Sequence, residues 1–218
     1  EDRDAGTVTD LVIALNRFWI FVESGTPALR WTRRVLASGL PSTLEQARLT
    51  AHLAAFERSS DPPAAKAHAE AALSVLEGVD DTFWLVTVHY TLALERLESG
   101  RTDEALEHAR AAVAAGRRSS PDGWADGLSV LVVVLSSLGV DAAPRLRREL
   151  TEAAAAAARL LREVGSASSL LAVGSNLVIP LVESGQHAEA LMLVDRLVEA
   201  IHRLPGLDWP THISLNEG

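Results

Sequence analysis

The sequence predicts an all-α protein, a right-handed α-α superhelix of about five helical hairpins, on three observations. Alanine fills 35 of 218 positions while glycine and proline gather at junctions, a distribution that favours helix along the whole chain. A near-identical junction recurs three times: Phe21-Val22-Glu23-Ser24-Gly25, Arg96-Leu97-Glu98-Ser99-Gly100 and Leu181-Val182-Glu183-Ser184-Gly185. Its glycines stand 75 and 85 residues apart, or two units of about 40 each, and degenerate copies at Phe56–Ser60 and Leu135–Gly139 fill the gaps. Each junction follows an apolar stretch and precedes an alanine-rich one, with apolar residues returning at helical period, as in Ala105, Leu106, Ala109, Ala112, Val113 and in Ala190, Leu191, Val194, Leu197, Val198, Ile201. A helix, a tight turn and a second helix therefore repeat along the chain.

The hairpins fall at 8–38, 42–77, 82–116, 120–164 and 167–204. Hairpin one turns at Gly25 and resumes at Thr26-Pro27, a cap residue before a proline whose missing N–H would have gone unpaired in any case. Ser42-Thr43-Leu44-Glu45 opens the second as a capping box, and Asp61-Pro62 restarts it after the turn. In the third, Asp103 and Glu104 after Thr102 place two anions on the positive end of a helix dipole. Ser120-Pro121 opens the fourth, the irregular one, with an extra segment Asp141–Leu150 and a helix from Pro144 to about Val164. There Arg145 faces Glu149 and Arg148 faces Glu152 at i,i+4, so the cluster reads as a self-neutralised solvent face. The fifth carries Pro180 inside its first helix, which should remove the bond to residue 176 and bend the helix near Asn176. Leu204-Pro205-Gly206 ends the array, and Trp209-Pro210 reads as the start of a further helix.

Composition narrows the chemistry. The absence of cysteine removes disulfides, thiolate nucleophiles and Cys-ligated zinc. A net charge of −9 argues against a nucleic-acid-binding face, which needs clustered excess cations. Lys66 is the only lysine and follows Pro62, Pro63, Ala64 and Ala65, so a phosphate-binding loop is excluded within this chain. The acidic opening Glu1–Asp4 is unlike a secretory leader, and the longest apolar stretch, Leu128 to Val140, is short of the roughly 20 residues that span a bilayer. With Glu1 first and Met192 the only methionine, the chain reads as a piece of a longer, cytoplasmic protein, a single helical-repeat domain over 1–218.

The alanine five residues after Gly100 and after Gly185, Ala105 and Ala190, together with Ala112-Val113 and Ala72-Leu73, resembles the pattern of the tetratricopeptide family. Departures are plain: alanine replaces the second-helix aromatic at Ala69 and Ala109, units run near 40 rather than 34 residues, and Arg30 takes a small-residue position in the first. The first hairpin, Leu15-Asn16-Arg17-Phe18-Trp19, Gly25, Leu29-Arg30-Trp31 and Val35-Leu36, resembles the start of the helical-repeat region in large actinobacterial transcriptional regulators of the LuxR type and the antibiotic-regulatory-protein type. The resemblance implies that DNA-binding and nucleotide-binding modules sit elsewhere in a parent chain, with the repeats as sensor or scaffold.

Catalytic patterns are missing. His68-x-Glu70 and His187-x-Glu189 lack the cysteines a deaminase needs, no His-Glu-x-x-His is present, and no Gly-x-Ser-x-Gly surrounds a serine. His68, His108 and His187 are expected on exposed faces of outer helices, and His52 and His89 as satisfied core histidines of inner ones. Asp80-Asp81 and Asp103-Glu104 stand at helix starts, where capping accounts for them. No catalytic residue, cofactor or metal site is therefore expected.

Binding is the live function. First helices of successive hairpins line the concave side of such a solenoid. Counting ten residues back from each junction glycine or its equivalent yields Leu15, Thr50, Tyr90, Ser129 and Ser175, with Trp19, Glu57, Thr87, Asp126 and Ser136 nearby. Trp19, Thr50, Tyr90, Ser129 and Ser175 are the candidate site, expected to share one partly accessible cleft. Its occupant would be a partner protein, a peptide, another domain of the parent chain or a small effector, with neither nucleic acid nor membrane. A free-standing adaptor, or an enzyme using the inner histidines, are the rival readings.

Overall fold

A computed structural model describes residues 2–15, 26–139, 143–163 and 167–202. They form helices α1 (Asp2–Ala14), α2 (Thr26–Ala37), α3 (Thr43–Glu57), α4 (Pro62–Gly78), α5 (Thr82–Glu98), α6 (Thr102–Ser119), α7 (Pro121–Ser137), α8 (Pro144–Glu163), α9 (Ala167–Gly174), α10 (Val178–Glu183) and α11 (His187–His202). No strand occurs among the described residues. The pairs α3–α4, α5–α6 and α7–α8 pack as hairpins, and the first helices of neighbouring hairpins touch in the series α3, α5, α7, α9. That second set of contacts makes the arrangement an α-α solenoid, with α3, α5, α7 and α9–α10 as its inner helices.

Local chemistry explains the helix ends. The Ser42 and Glu45 capping box is formed, with the Ser42 amide donating to Glu45 Oε2 at 2.7 Å. Asp61 accepts from the Ala64 amide at 3.1 Å ahead of Pro62, and Ser120 accepts from the Gly123 amide at 3.0 Å ahead of Pro121. The recurring Glu-Ser-Gly junction is a helix stop. Gly100 and Gly185 adopt φ of 73° and 78°, and the next amides, of Arg101 and Gln186, donate back to Arg96 and Leu181 carbonyls at 2.8 Å. A residue with a Cβ is strained in that left-handed conformation, which is why glycine holds the position.

Small residues let the helices close. Ala69, Ala105 and Ala109 are fully buried, and Ala112 and Ala190 are buried with them. Glycines bring α6 and α7 close together. A Cβ added at Gly127 would stand 2.7 Å from the Ala112 carbonyl oxygen, and one at Gly116 would stand 2.3 Å from that of Gly123.

Three local expectations are corrected. Helix α1 begins at Asp2, ahead of the expected residue 8. Glu149 pairs with Arg110 of α6 through two bonds of 2.9 and 2.7 Å, so the cluster on α8 is partly neutralised across the hairpin boundary rather than wholly along its own helix. Pro180 interrupts its helix instead of bending it: α9 stops at Gly174, Ser175–Leu177 form turns, and α10 starts at Val178. Within the break the Asn176 and Leu177 amides donate three residues back, at 3.1 and 3.0 Å.

Candidate functional site

Four polar side chains from successive inner helices meet in one cluster. Tyr90 projects from α5, Asp126 and Ser129 from α7, and Asn176 from the break between α9 and α10. Asn176 Nδ2 donates to Ser129 Oγ at 3.3 Å, and the Tyr90 hydroxyl lies near both side chains. Burial, and after it the Asp126 carboxylate, push the Tyr90 hydroxyl above the usual phenol range, while Arg58 pulls in the other direction. Tyr90 therefore keeps its proton and serves as a neutral donor and acceptor.

Of the five residues singled out from sequence, Tyr90 and Ser129 come together. Tyr90 is half-buried, but Ser129 is fully buried, contrary to the expected accessible lining, because its small side chain sits in the seam between helices and supports Asn176. Thr50 is half-buried on α3. Ser175 is exposed and its hydroxyl donates to the Leu171 carbonyl at 3.2 Å, the back-bonding of a serine to its own helix. Trp19 lies outside the described residues. Sequence reasoning placed Asp126 only as a neighbour and passed over Asn176 as a site residue. Its signal was Pro180, which removes the amide that would have bonded to the residue-176 carbonyl and so marks where an inner helix opens.

Four histidines, His52, His68, His89 and His108, are built into the packing, while His187 is exposed as expected. His52 is fully buried, with Nδ1 2.8 Å from Thr32 Oγ1 and its ring against Phe56 and Trp84, and burial pushes it down to about 4. His89 and His108 meet Nδ1 to Nδ1 at 3.1 Å. Burial and then its histidine neighbour lower His89 to about 4, and burial followed by the Arg96 charge lowers His108. His108 and His68 were expected on open outer faces and are instead half-buried bridges between helices. His68 reaches Glu57 at 2.7 Å, and Glu57, 1% exposed, also takes Arg33 at 2.6 Å. Arg96 is buried among Glu70 at 2.6 Å, Glu104 at 3.0 Å and Glu95. These are partnered charges, and among the described residues no group of three or more His, Asp or Glu is placed to hold a metal ion. No described helix is long and apolar enough to cross a membrane. An open groove of about 320 Å³ lined by Pro62, Pro63, Lys66, Glu95, Glu98 and Ser99 shares no residue with the inner-helix cluster.

No protein-family model and no curated protein matches the chain. Among solved structures it is similar to the crystal structure of a Rap protein complexed with Competence and Sporulation Factor, with a TM-score of 0.70 at 15% identity over 89% of this chain. The match covers 54% of that protein, so the chain spans about half its length. At that identity the likeness concerns the fold, and with the inner-helix contacts it establishes a tetratricopeptide-like helical-repeat domain.

Proposed function

We propose that the chain is a non-catalytic sensor or protein-interaction domain of a multidomain bacterial transcriptional regulator, working in the cytoplasm. It docks a partner protein, a peptide or a small effector on the face lined by its inner helices. One observation carries the reading: Tyr90, Asp126, Ser129 and Asn176, from three successive hairpins, converge on a single polar cluster. Apolar seams are enough to close a solenoid, and a buried polar group adds cost unless it is fully hydrogen-bonded. Tyr90 contributes a ring and a neutral hydroxyl, and Asn176 an amide with both donor and acceptor, beside the single carboxylate of Asp126. Such a set recognises an uncharged hydrogen-bonding group of a partner. The Rap protein of the same fold is itself complexed with another molecule, Competence and Sporulation Factor. The regulator setting rests on the resemblance of the first hairpin, and a nucleotide-binding or DNA-binding module in the same reading frame is what it requires.

Peptides selected from a random library for binding to this chain test the docking face. Tyr90→Phe should weaken the selected peptides about tenfold, roughly 1.4 kcal/mol, with the urea midpoint little changed, and Asn176→Ala should weaken them at least as much while lowering the midpoint, because buried Ser129 loses its partner. Peptides that bind both variants as tightly as the parent would place docking elsewhere.

A further inference from the structure

The inner face that carries the Tyr90 cluster is acidic on one wall and partly aromatic on the other. On α7, Asp122 and Asp126 stand four residues apart, on one side of the helix and about 6 Å along its axis. Asp126 lies close enough to Tyr90 to act on its hydroxyl, so this side of α7 faces the cluster. On α5 the partly open residues recur at Phe83, Thr87, Tyr90 and Leu94, spacings of four, three and four that make one stripe. Going back one turn from Tyr90 and from Asp126 reaches Thr87 and Asp122 on two neighbouring inner helices. Asp122 is half-buried, its Oδ1 is shut off from solvent, and its carboxylate makes no hydrogen bond or ion pair among the described residues. Nor does it cap α7: the Gly123 amide is taken by Ser120 Oγ and the Trp124 amide by the Ser120 carbonyl.

The inner helices around the pair supply no uncommitted cation. Residues 121–137 and 167–183, which cover α7, α9 and α10, contain no lysine or arginine. Arg96 of α5 is bound by Glu70, Glu95 and Glu104, and Arg58, the cation that acts on Tyr90, is held by Glu98 at 2.6 Å. Two like charges one turn apart weaken the helix that carries them, and a carboxylate with an oxygen enclosed by protein is poorly screened by water. A cation lying against both carboxylates relieves each cost, and the ring of Tyr90 beside it adds the attraction of its face. We propose that the docking face takes a basic peptide, with a lysine or arginine side chain of the partner against Asp122 and Asp126, next to the uncharged group that Tyr90 and Asn176 hold. This choice of partner rests on the inner face being the docking surface and adds the occupant's charge. A neutral effector would fill the Tyr90 cluster and leave the pair unmatched.

Random peptides selected on the parent chain, then measured singly by fluorescence anisotropy, test this. Peptides whose binding depends on Tyr90 should share one basic position. Replacing that arginine by citrulline, or a lysine by acetyl-lysine, removes the charge and should weaken binding to the parent about tenfold. Added salt should weaken the basic peptide more than its neutral counterpart. On Asp122→Asn the same replacement should cost about threefold or less, because Asp126 alone remains to meet the charge. The peptide replacement leaves the protein unchanged, so it reads out even if Asp122→Asn is less stable than the parent. Tyr90-dependent peptides with no shared basic position, a neutral replacement that binds the parent as tightly, or an equal loss on Asp122→Asn would each overturn the basic partner and leave docking at Tyr90 standing. If no selected peptide depends on Tyr90, docking on this face fails and the basic partner fails with it.

Discussion

Replacing Gly127 with alanine tests the close approach of α6 and α7. The added methyl carbon would lie 2.7 Å from the Ala112 carbonyl oxygen, 2.8 Å from its carbon and 2.9 Å from Val113 Cα, all backbone atoms with no rotamer to escape into. Ordinary contact begins near 3.4 Å, so α6 and α7 must part by roughly 0.7 Å along an interface close-packed with alanine. Overpacking of this kind costs about 1–3 kcal/mol, and alanine returns about 1 kcal/mol through its higher helix propensity. The expected net loss is about 0–2 kcal/mol, read as a fall of up to about 1 M in the urea midpoint at unchanged slope. Gly116→Ala, whose methyl would stand 2.3 Å from the Gly123 oxygen, should lose more. Gly78→Ala, with nothing within 4 Å of the added carbon, should leave the midpoint level or raise it slightly. If Gly127→Ala unfolds at a higher urea concentration than the parent, or Gly116→Ala at the same concentration or higher, the close approach of α6 and α7 is wrong.

Ala105 and Ala190, buried where neighbouring helices close, should each cost about 1–3 kcal/mol when replaced by leucine, measured by urea unfolding; two unchanged midpoints would refute the repeat alignment. Stability should be whole above about pH 6.5 and fall as pH drops toward 4, because unfolded histidine takes up its proton near 6.5 whereas buried His52 and His89 do so at about 4. The loss approaches about 3 kcal/mol for each histidine, and a urea midpoint flat between pH 6.5 and pH 4.5 would contradict it. Glu95 and Glu149, held below the usual carboxylate range, add their loss only at the acid end of that window. A labelled DNA duplex at low salt should show no binding by fluorescence anisotropy, in keeping with the −9 charge, and micromolar affinity that falls steeply with salt would reverse that expectation.

Helices, their order and the solenoid itself were legible in the sequence, because the signals that specify them act within a few residues. The Ser42–Glu45 box, Asp61-Pro62 and Ser120-Pro121 satisfy amides of their own first turn, and Gly100 and Gly185 stop their helices through a backbone angle that neighbouring bonds define. The alanine stripes report burial at a period the helix imposes. Contacts between hairpins were a different matter. Ten residues back from a junction glycine led to Tyr90 and Ser129 but also to Ser175, which bonds to its own helix, while the partner that joins the cluster, Asn176, sits one residue further along. Arg110 with Glu149, Glu57 between Arg33 and His68, His89 against His108, and the Gly127 approach likewise belong to tertiary structure alone. Each depends on the axial offset and rotation between neighbouring helices, quantities set by how whole faces of side chains interdigitate. No spacing within one helix records that offset, and Pro180 changes it further by breaking an inner helix at the point where Asn176 enters the site.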